Sequence, residues 1–341
     1  MNKKLLALLL AILMVAMSAV AMAADQYSGS DLSNGFLTIN KTYKNNPSVI
    51  PAERIEFSVS IPTVSQPSND TGTKYPTVTV EAKPAEATQI ANAIKVSLPT
   101  DMDRAGVFTY TITETAGKTA GVTYNPNNAS MQLVVLVGFD TNGAYEIKYV
   151  KVADKSNLST KIDAFTFENE FKDGSFTLTK EIKGDLANTT SVFPVKVTLT
   201  SAKPVLNSIA ISTENGSSNS VYANPTSAVA LTGDDTDGYT SETTVYVTNN
   251  TEITFANIPV GVKVAIEETE TTIDGVAYTA SYNGYVETAM TTAGLTAKIT
   301  NTANATVDTG VRTDTMPYIL LMAFVAILAV AFVAKKRSVN E

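Results

Sequence analysis

The stretches FLTINKTYK, residues 36–44, and FTLTKEIKG, residues 176–184, each place one lysine inside an alternating apolar segment. Alternation of apolar and polar residues over such a length predicts a β-strand with one buried face. Lys41 and Lys180 therefore lie on or beside a strand, each near the start of a long block of sequence. The recurrence of this stretch indicates that the chain contains two blocks built in the same way.

Each block also contains a glutamate past its middle and an asparagine at its end. In the first block these are Glu114 in FTYTITETAG and Asn169 in FTFENEF. In the second block they are Glu268 in VKVAIEETE and Asn301 in AKITNTAN. These segments also lie on or beside alternating strand patterns, so the lysine, glutamate and asparagine of one block can meet inside a β-sandwich.

The glutamate of the second block has a rival, because Glu267 directly precedes Glu268. Glu268 shares its predicted strand face with Val264 and Ile266. Glu114 follows two apolar residues with the same spacing in the first block. This register favours Glu268, and Glu267 remains the alternative.

A lysine amine, a carboxyl group and an asparagine carboxamide in an apolar pocket are the components of a self-made amide bond. Burial lowers the pKa of a lysine and raises that of a carboxyl group, so both can be neutral. The amine can then attack the carboxamide while a protonated glutamate polarises its carbonyl and transfers protons. We predict that Glu114 and Glu268 are the catalytic acids of two isopeptide cross-links, each formed once without turnover. The cross-links join the residue pairs Lys41 with Asn169 and Lys180 with Asn301.

Both ends of the chain have the composition of targeting segments. Residues 1–24 have a charged start, an apolar run and the small-residue cleavage site Ala21-Met22-Ala23, which predicts a secretory signal peptide. Residues 318–334 form an uninterrupted apolar run, and residues 335–341 begin with three basic residues. This order predicts a transmembrane helix and a cytoplasmic basic tail, with the body of the protein outside the cell.

The composition excludes several classes of function. The chain of 341 residues contains no cysteine and no histidine. It therefore has no Ser-His or Cys-His nucleophile pair and no ordinary zinc site. Its formal net charge of −8 does not suit nucleic-acid binding, which needs basic patches. We expect a protein that is not an enzyme in the turnover sense and that uses no metal and no cofactor.

The body between the two ends is rich in alternating segments of Val, Ile, Thr, Tyr and Phe, broken by clusters of Gly, Asn, Asp and Pro. This pattern predicts an all-β fold, and the length of the body suits two β-sandwich domains. We place the first domain at residues 25–172 and the second at residues 173–304. A linker that resembles a sorting signal follows at residues 305–317.

On these residues, the chain resembles the major backbone pilins of Gram-positive bacteria, specifically the two-domain streptococcal pilin with isopeptide linkage domains. The resemblance covers nearly all of the body. It implies two tandem immunoglobulin-like β-sandwiches stacked end to end. It also implies that the two lysines are the attacking amines, the two glutamates the catalytic acids and the two asparagines the acceptors.

Members of that family are polymerised by a sortase, which cuts a Leu-Pro-x-Thr-Gly-type signal and joins the threonine to a lysine of a neighbour. The corresponding string here is TVDTG, in which Thr306 and Val307 replace the leucine and the proline. The resemblance implies that Thr309, followed by Gly310, becomes the new carboxyl end. It also implies that Lys161, in the string LSTK, is the receiving lysine.

These features favour a structural cell-surface protein, either a backbone pilin or a wall-anchored stalk. Its expected partners are a sortase, identical or other pilus subunits, cell-wall peptidoglycan and, through the C-terminal helix, the membrane. Its expected location is the cell wall or a pilus of a Gram-positive bacterium. The alternative is a monomeric adhesin that binds a host or matrix ligand through long loops such as residues 207–237.

Overall fold

The computed structural model describes residues 35–44, 51–65, 75–81, 94–126, 129–154, 157–161, 165–284 and 287–305. The regular secondary structure of the described residues consists of β-strands and one short 3-10 turn at Ser220–Tyr222, so the predicted all-β class is confirmed. The predicted signal peptide and the apolar run at residues 318–334 lie outside these ranges. Within them, no helix combines the length and the apolar character that crossing a membrane requires.

The first half of the chain forms two sheets. Its described strands are β1 Phe36–Lys44, β2 Phe57–Val59, β3 Thr63–Ser65, β4 Thr79–Val80, β5 Ile94–Ser97, β6 Gly106–Glu114, β7 Val122–Thr123, β8 Ser130–Phe139, β9 Tyr145–Asp154, β10 Asn157–Lys161 and β11 Phe165–Phe171. One sheet has the order β4-β5-β1-β11-β7. The facing sheet has the order β10-β9-β8-β6-β2, and β3 also pairs with β6.

The second half repeats the arrangement of two facing sheets. Its described strands are β12 Asp173–Lys183, β13 Phe193–Ser201, β14 Ala210–Glu214, β15 Thr232–Asp234, β16 Gly238–Val247, β17 Glu252–Pro259, β18 Lys263–Glu268, β19 Thr272–Ile273, β20 Val276–Ala277, β21 Thr279–Asn283, β22 Thr288–Ala289 and β23 Leu295–Thr302. The sheet orders are β14-β17-β12-β23-β21 and β15-β16-β13-β18-β22. Strands β19 and β20 form a small separate hairpin.

An apolar core lies between the two sheets of each half. Every second residue of β13 is buried from Phe193 to Leu199, as alternation along a half-buried strand requires. Phe176 and Phe255 come from neighbouring strands of the other sheet, and their ring centroids lie 6.1 Å apart. In the first half, the rings of Phe57 and Phe167 bridge the two sheets with centroids 5.2 Å apart. The alternating segments of the sequence therefore provide the buried faces of the sheets.

The first and last strands of each half are parallel neighbours in one sheet. Strand β1 pairs with β11, and Lys41 lies opposite Phe167, two residues before Asn169. Strand β12 is likewise parallel to β23, and Lys180 lies opposite the residue two positions before Asn301. Since residues two apart on a strand share a face, the lysine and the asparagine of each half project from one face of adjacent strands.

The two halves are joined directly, because Lys172 alone separates β11 from β12. The N–H of Lys172 donates to the carbonyl of Gly121, and its carbonyl accepts from Val260 in the second half. Gly121 has a φ of +75°, and a Cβ at this position would lie 2.6 Å from the Lys172 carbonyl oxygen. Glycine is therefore needed where the two halves approach each other.

A loop of the first half, residues 115–121, contacts the second half. The backbone N–H of Ala120 donates to the carbonyl of Pro204 at 2.8 Å. Lys118 and Asp235 form an ion pair of 2.8 Å at the surface, where solvent screens the attraction. The halves therefore meet through backbone hydrogen bonds in addition to the covalent connection.

Candidate cross-linking sites

Lys41, Glu114 and Asn169 meet between the two sheets of the first half. Their exposed fractions are 2%, 7% and 4%. The Nζ of Lys41 lies 3.1 Å from Oε1 and 3.0 Å from Oε2 of Glu114. The Nδ2 of Asn169 donates to the same Oε1 at 2.7 Å. One carboxyl group thus contacts both the amine and the carboxamide.

The fold supplies these three side chains from both sheets. Lys41 and Asn169 come from the adjacent strands β1 and β11, and Glu114 is the last residue of β6 in the facing sheet. The Nζ of Lys41 also lies 5.1 Å from the centroid of the Tyr43 ring. The three polar side chains therefore lie together in the interior of the domain, beside an aromatic ring.

The second half builds the same arrangement from Lys180, Glu268 and Asn301. Their exposed fractions are 2%, 8% and 0%. Oε1 of Glu268 accepts from the Nζ of Lys180 at 2.8 Å and from the Nδ2 of Asn301 at 2.7 Å. Glu268 is the last residue of β18, which again belongs to the facing sheet.

Burial changes the protonation of the second lysine. The Nζ of Lys180 lies 4.0 Å from the centroid of the Phe193 ring. Desolvation lowers the pKa of Lys180 from 10.5 to about 8, although the hydrogen bond and the charge of Glu268 oppose the change. A substantial part of this lysine is therefore a neutral amine in mildly alkaline solution.

The structure distinguishes between the two adjacent glutamates of the second half. Glu267 points to the opposite side of its strand, where its side chain is 63% exposed and lies 2.9 Å from the Nζ of Lys196. Glu268 faces the core and contacts Lys180. Only Glu268 is thus placed to take part in chemistry at Lys180.

The orientation of the carboxamides differs from the sequence-based expectation. That expectation has a protonated glutamate donating to the asparagine carbonyl, whereas here Glu114 and Glu268 accept from the asparagine nitrogens. A carboxylate beside an ammonium group is an acceptor only, so it attracts the N–H groups of the carboxamide. The two carbonyl oxygens consequently point away from the glutamates.

The two sites differ at the carbonyl oxygen of the asparagine. Oδ1 of Asn169 accepts a hydrogen bond of 3.3 Å from the backbone N–H of Asn125. Oδ1 of Asn301 is buried and has no hydrogen-bond partner in the described part of the chain, and the same holds for Oε2 of Glu268. The sequence gives no signal for Asn125, because a backbone donor has no side-chain signature.

A further buried carboxyl group, which the sequence does not single out, lies near the first site. Glu53 is 2% exposed. It accepts hydrogen bonds from the hydroxyls of Tyr43, Thr119 and Tyr124, and the bond from Thr119 is 2.8 Å long. Glu53 falls outside the repeated pattern, which explains why sequence comparison between the two blocks does not find it.

The remaining residues predicted to be functional are Lys161, Thr309 and Gly310. Lys161 is the last residue of β10, the edge strand of its sheet. Thr309 and Gly310 lie outside the described residues. Among the residues that the structure describes, no group of three or more carboxylates is arranged to hold a metal ion.

Comparisons with known proteins agree with this architecture. A family model described as a Spy0128-like isopeptide containing domain matches residues 37–172. A second model, described as a domain of unknown function, matches residues 174–306. A search of curated proteins finds no match.

The solved structure of a pilin resembles most of the chain. The crystal structure of the major pilin from Streptococcus pyogenes aligns with a TM-score of 0.51 at 16% identity, covering 79% of this chain and 98% of that chain. The T-13 major pilin of Streptococcus pyogenes aligns with a TM-score of 0.47 at 19% identity, covering 83% and 99%. The first alignment shows the fold, and the match to residues 37–172 confirms the predicted resemblance. Residues 37–172 of this chain thus match the model of a Spy0128-like isopeptide containing domain, and the chain has the fold of a streptococcal major pilin.

Proposed function

We propose that this protein is a structural subunit of a Gram-positive surface pilus, and that an internal isopeptide bond closes each of its halves. The observation that carries the proposal is the repetition of one site. In both halves a buried lysine on the first strand and a buried asparagine on the last strand contact one glutamate from the facing sheet. The fold match to a major pilin favours a shaft subunit over a monomeric adhesin.

Each bond joins the lysine Nζ to the asparagine Cγ, breaks the Cγ–Nδ2 bond and releases ammonia. The glutamate contacts both the attacking and the leaving nitrogen. It can therefore accept the proton that the amine loses and return this proton to the departing nitrogen. The reaction neither gains nor loses a proton overall. Because both partners are held on adjacent strands, proximity supplies much of the rate.

The bond closes a loop that contains almost the whole domain. In the chain-entropy description of cross-links, closing a loop of about 100 residues stabilises a domain by roughly 4–5 kcal/mol. Its position matters more than this equilibrium effect, because the first and last strands connect the domain to its neighbours. Tension along the chain then passes through a covalent bond instead of a ladder of hydrogen bonds.

We also propose how the chain is exported and assembled. Residues 1–24 direct secretion, and the apolar residues 318–334 hold the chain in the membrane until a sortase cuts after Thr309. The new carboxyl end is joined to Lys161 of another subunit, or to peptidoglycan at the base of the shaft. The position of Lys161 at the end of an edge strand supports this role, since neighbouring strands do not enclose such an edge on both sides.

The intact mass of the folded chain tests the cross-links. We expect a mass lower than the sequence mass by two molecules of ammonia. The masses of Glu114→Ala and of Glu268→Ala should each be lower than their sequence mass by only one molecule of ammonia. The double variant should have its full sequence mass. Glu267→Ala is the matched control and should behave like the unmodified chain, because its side chain lies on the opposite side of the strand. An unmodified chain with its full sequence mass would contradict the proposal.

The pH dependence of the second bond follows from the state of Lys180. Its pKa of about 8 lies below the ordinary value of 10.5, so the reactive neutral amine is lost as the pH falls below 8. We expect the rate of ammonia loss from the second half to rise about tenfold per pH unit up to about pH 8 and then to level off. Peptide mapping after refolding at different pH values measures this rate. A rate that does not depend on pH below pH 8 would contradict the role of the neutral Lys180 amine.

Polymerisation is tested in wall extracts of cells that express the full chain with its sortase. We expect a ladder of covalent multimers, which Lys161→Ala abolishes because the receiving amine is lost. Lys203→Ala replaces an exposed lysine of the second half and should leave the ladder unchanged. A ladder that persists in the Lys161→Ala variant would show that another lysine receives the threonine.

A further inference from the structure

The segment that follows β7 runs alongside the acceptor asparagine of the first half. Strand β7 pairs antiparallel with β11, and Thr123 lies opposite Glu170. Asn125 follows two residues later, and its backbone N–H donates to Oδ1 of Asn169 at 3.3 Å. The carboxamide is thus held at both ends, since its Nδ2 donates to Glu114 at 2.7 Å.

The oxygen that this N–H contacts is the atom on which negative charge develops. When the amine of Lys41 adds to Cγ of Asn169, the carbonyl becomes tetrahedral and Oδ1 becomes an oxyanion. A donor already directed at that atom stabilises the charge without reorganising, and its hydrogen bond shortens as the charge grows. Glu114 contacts the other end of the carboxamide, because its Oε1 accepts from Nδ2 of Asn169.

The buried carboxyl of Glu53 fixes the segment that carries this donor. It accepts from Tyr124, the residue directly before Asn125, and also from Thr119 and Tyr43. Burial and the neighbouring Glu53 raise the pKa of Tyr43 and of Tyr124, so both hydroxyls remain donors at physiological pH. Glu53 therefore ties residues 119–124, directly before the Asn125 donor, to Tyr43 of β1.

The second half lacks this arrangement. Asn301 is fully buried, and its Oδ1 has no hydrogen-bond partner among the described residues. Its Nδ2 donates to Glu268, as in the first half. An oxyanion formed at Asn301 would therefore develop without a donor in the part of the chain that the structure describes.

We propose that the backbone N–H of Asn125 is the oxyanion donor of the first cross-linking site and that the second site works without one. This inference rests on the proposed function and specifies how one of its two bonds is made. Loss of a single oxyanion donor slows acyl transfer by about 100-fold or more where it has been measured. The first bond accordingly gains an acceleration that the second bond does not.

Two variants remove the backbone N–H of residue 125, and a third variant keeps it. Asn125→Pro deletes the donor, and replacement of Asn125 by its α-hydroxy acid does so without adding a ring. Asn125→Ala changes the side chain and retains the N–H. The full chain is dissolved in urea, diluted into detergent-containing buffer and sampled over time, and peptide mapping follows the ammonia loss of each half separately. The bond of the second half is the internal control for refolding.

We expect both donor-deleted chains to form the first bond at least about tenfold more slowly, with the second bond unchanged and Asn125→Ala close to the unmodified rate. An unchanged first bond in the α-hydroxy acid chain would overturn the inference, as would equal slowing by Asn125→Ala. If Asn125→Pro does not fold, the α-hydroxy acid chain decides alone. Absence of both bonds in the unmodified chain would instead refute the proposed function.

Discussion

The parallel pairing of the first and last strands of each half is the constraint on which the rest of the molecule depends. Parallel neighbours cannot be joined by a tight turn, so the chain between them must make a long excursion. Here that excursion is the remainder of the sandwich. The domain is therefore a loop whose two ends lie side by side, and the register brings Lys41 next to Asn169 and Lys180 next to Asn301.

The burial of charged groups favours the cross-linked product over the unreacted side chains. A lysine and a glutamate in an apolar core are poorly compensated for the water that they lose, even when they form an ion pair. The contact of Lys180 with Glu268 and with the Phe193 ring illustrates this setting. Forming the proposed bond turns the lysine nitrogen into an uncharged amide, and the second proton of the ammonium group stays on the glutamate, so both charges are removed from the core when ammonia leaves. The free-energy cost of burying the unreacted lysine and glutamate thus favours the cross-linked product, in which the lysine nitrogen needs no counter-ion.

Much of the fold and of both sites follows from local sequence patterns, because alternation specifies which face of a strand is buried. It indicates the strands, and its parity favours Glu268 over Glu267, as the burial of Glu268 in the structure reflects. The sheet order and the parallel register are set by packing over the whole domain, which local patterns do not encode. Local patterns also do not identify Asn125 and Glu53. Asn125 contacts Asn169 through its backbone N–H, and Glu53 has no counterpart in the second half.

The two proposed bonds would also determine how far the protein can extend. With both bonds formed, the shortest covalent route from residue 35 to residue 305 follows residues 35–41, 169–180 and 301–305. At the maximal spacing of an extended chain, this route spans on the order of 100 Å, compared with about 900 Å for the unlinked segment. A filament of subunits with both proposed bonds would therefore keep a nearly constant length under load. It would transmit a pull to its anchor, whereas a filament of unlinked domains would lengthen as its domains unfold.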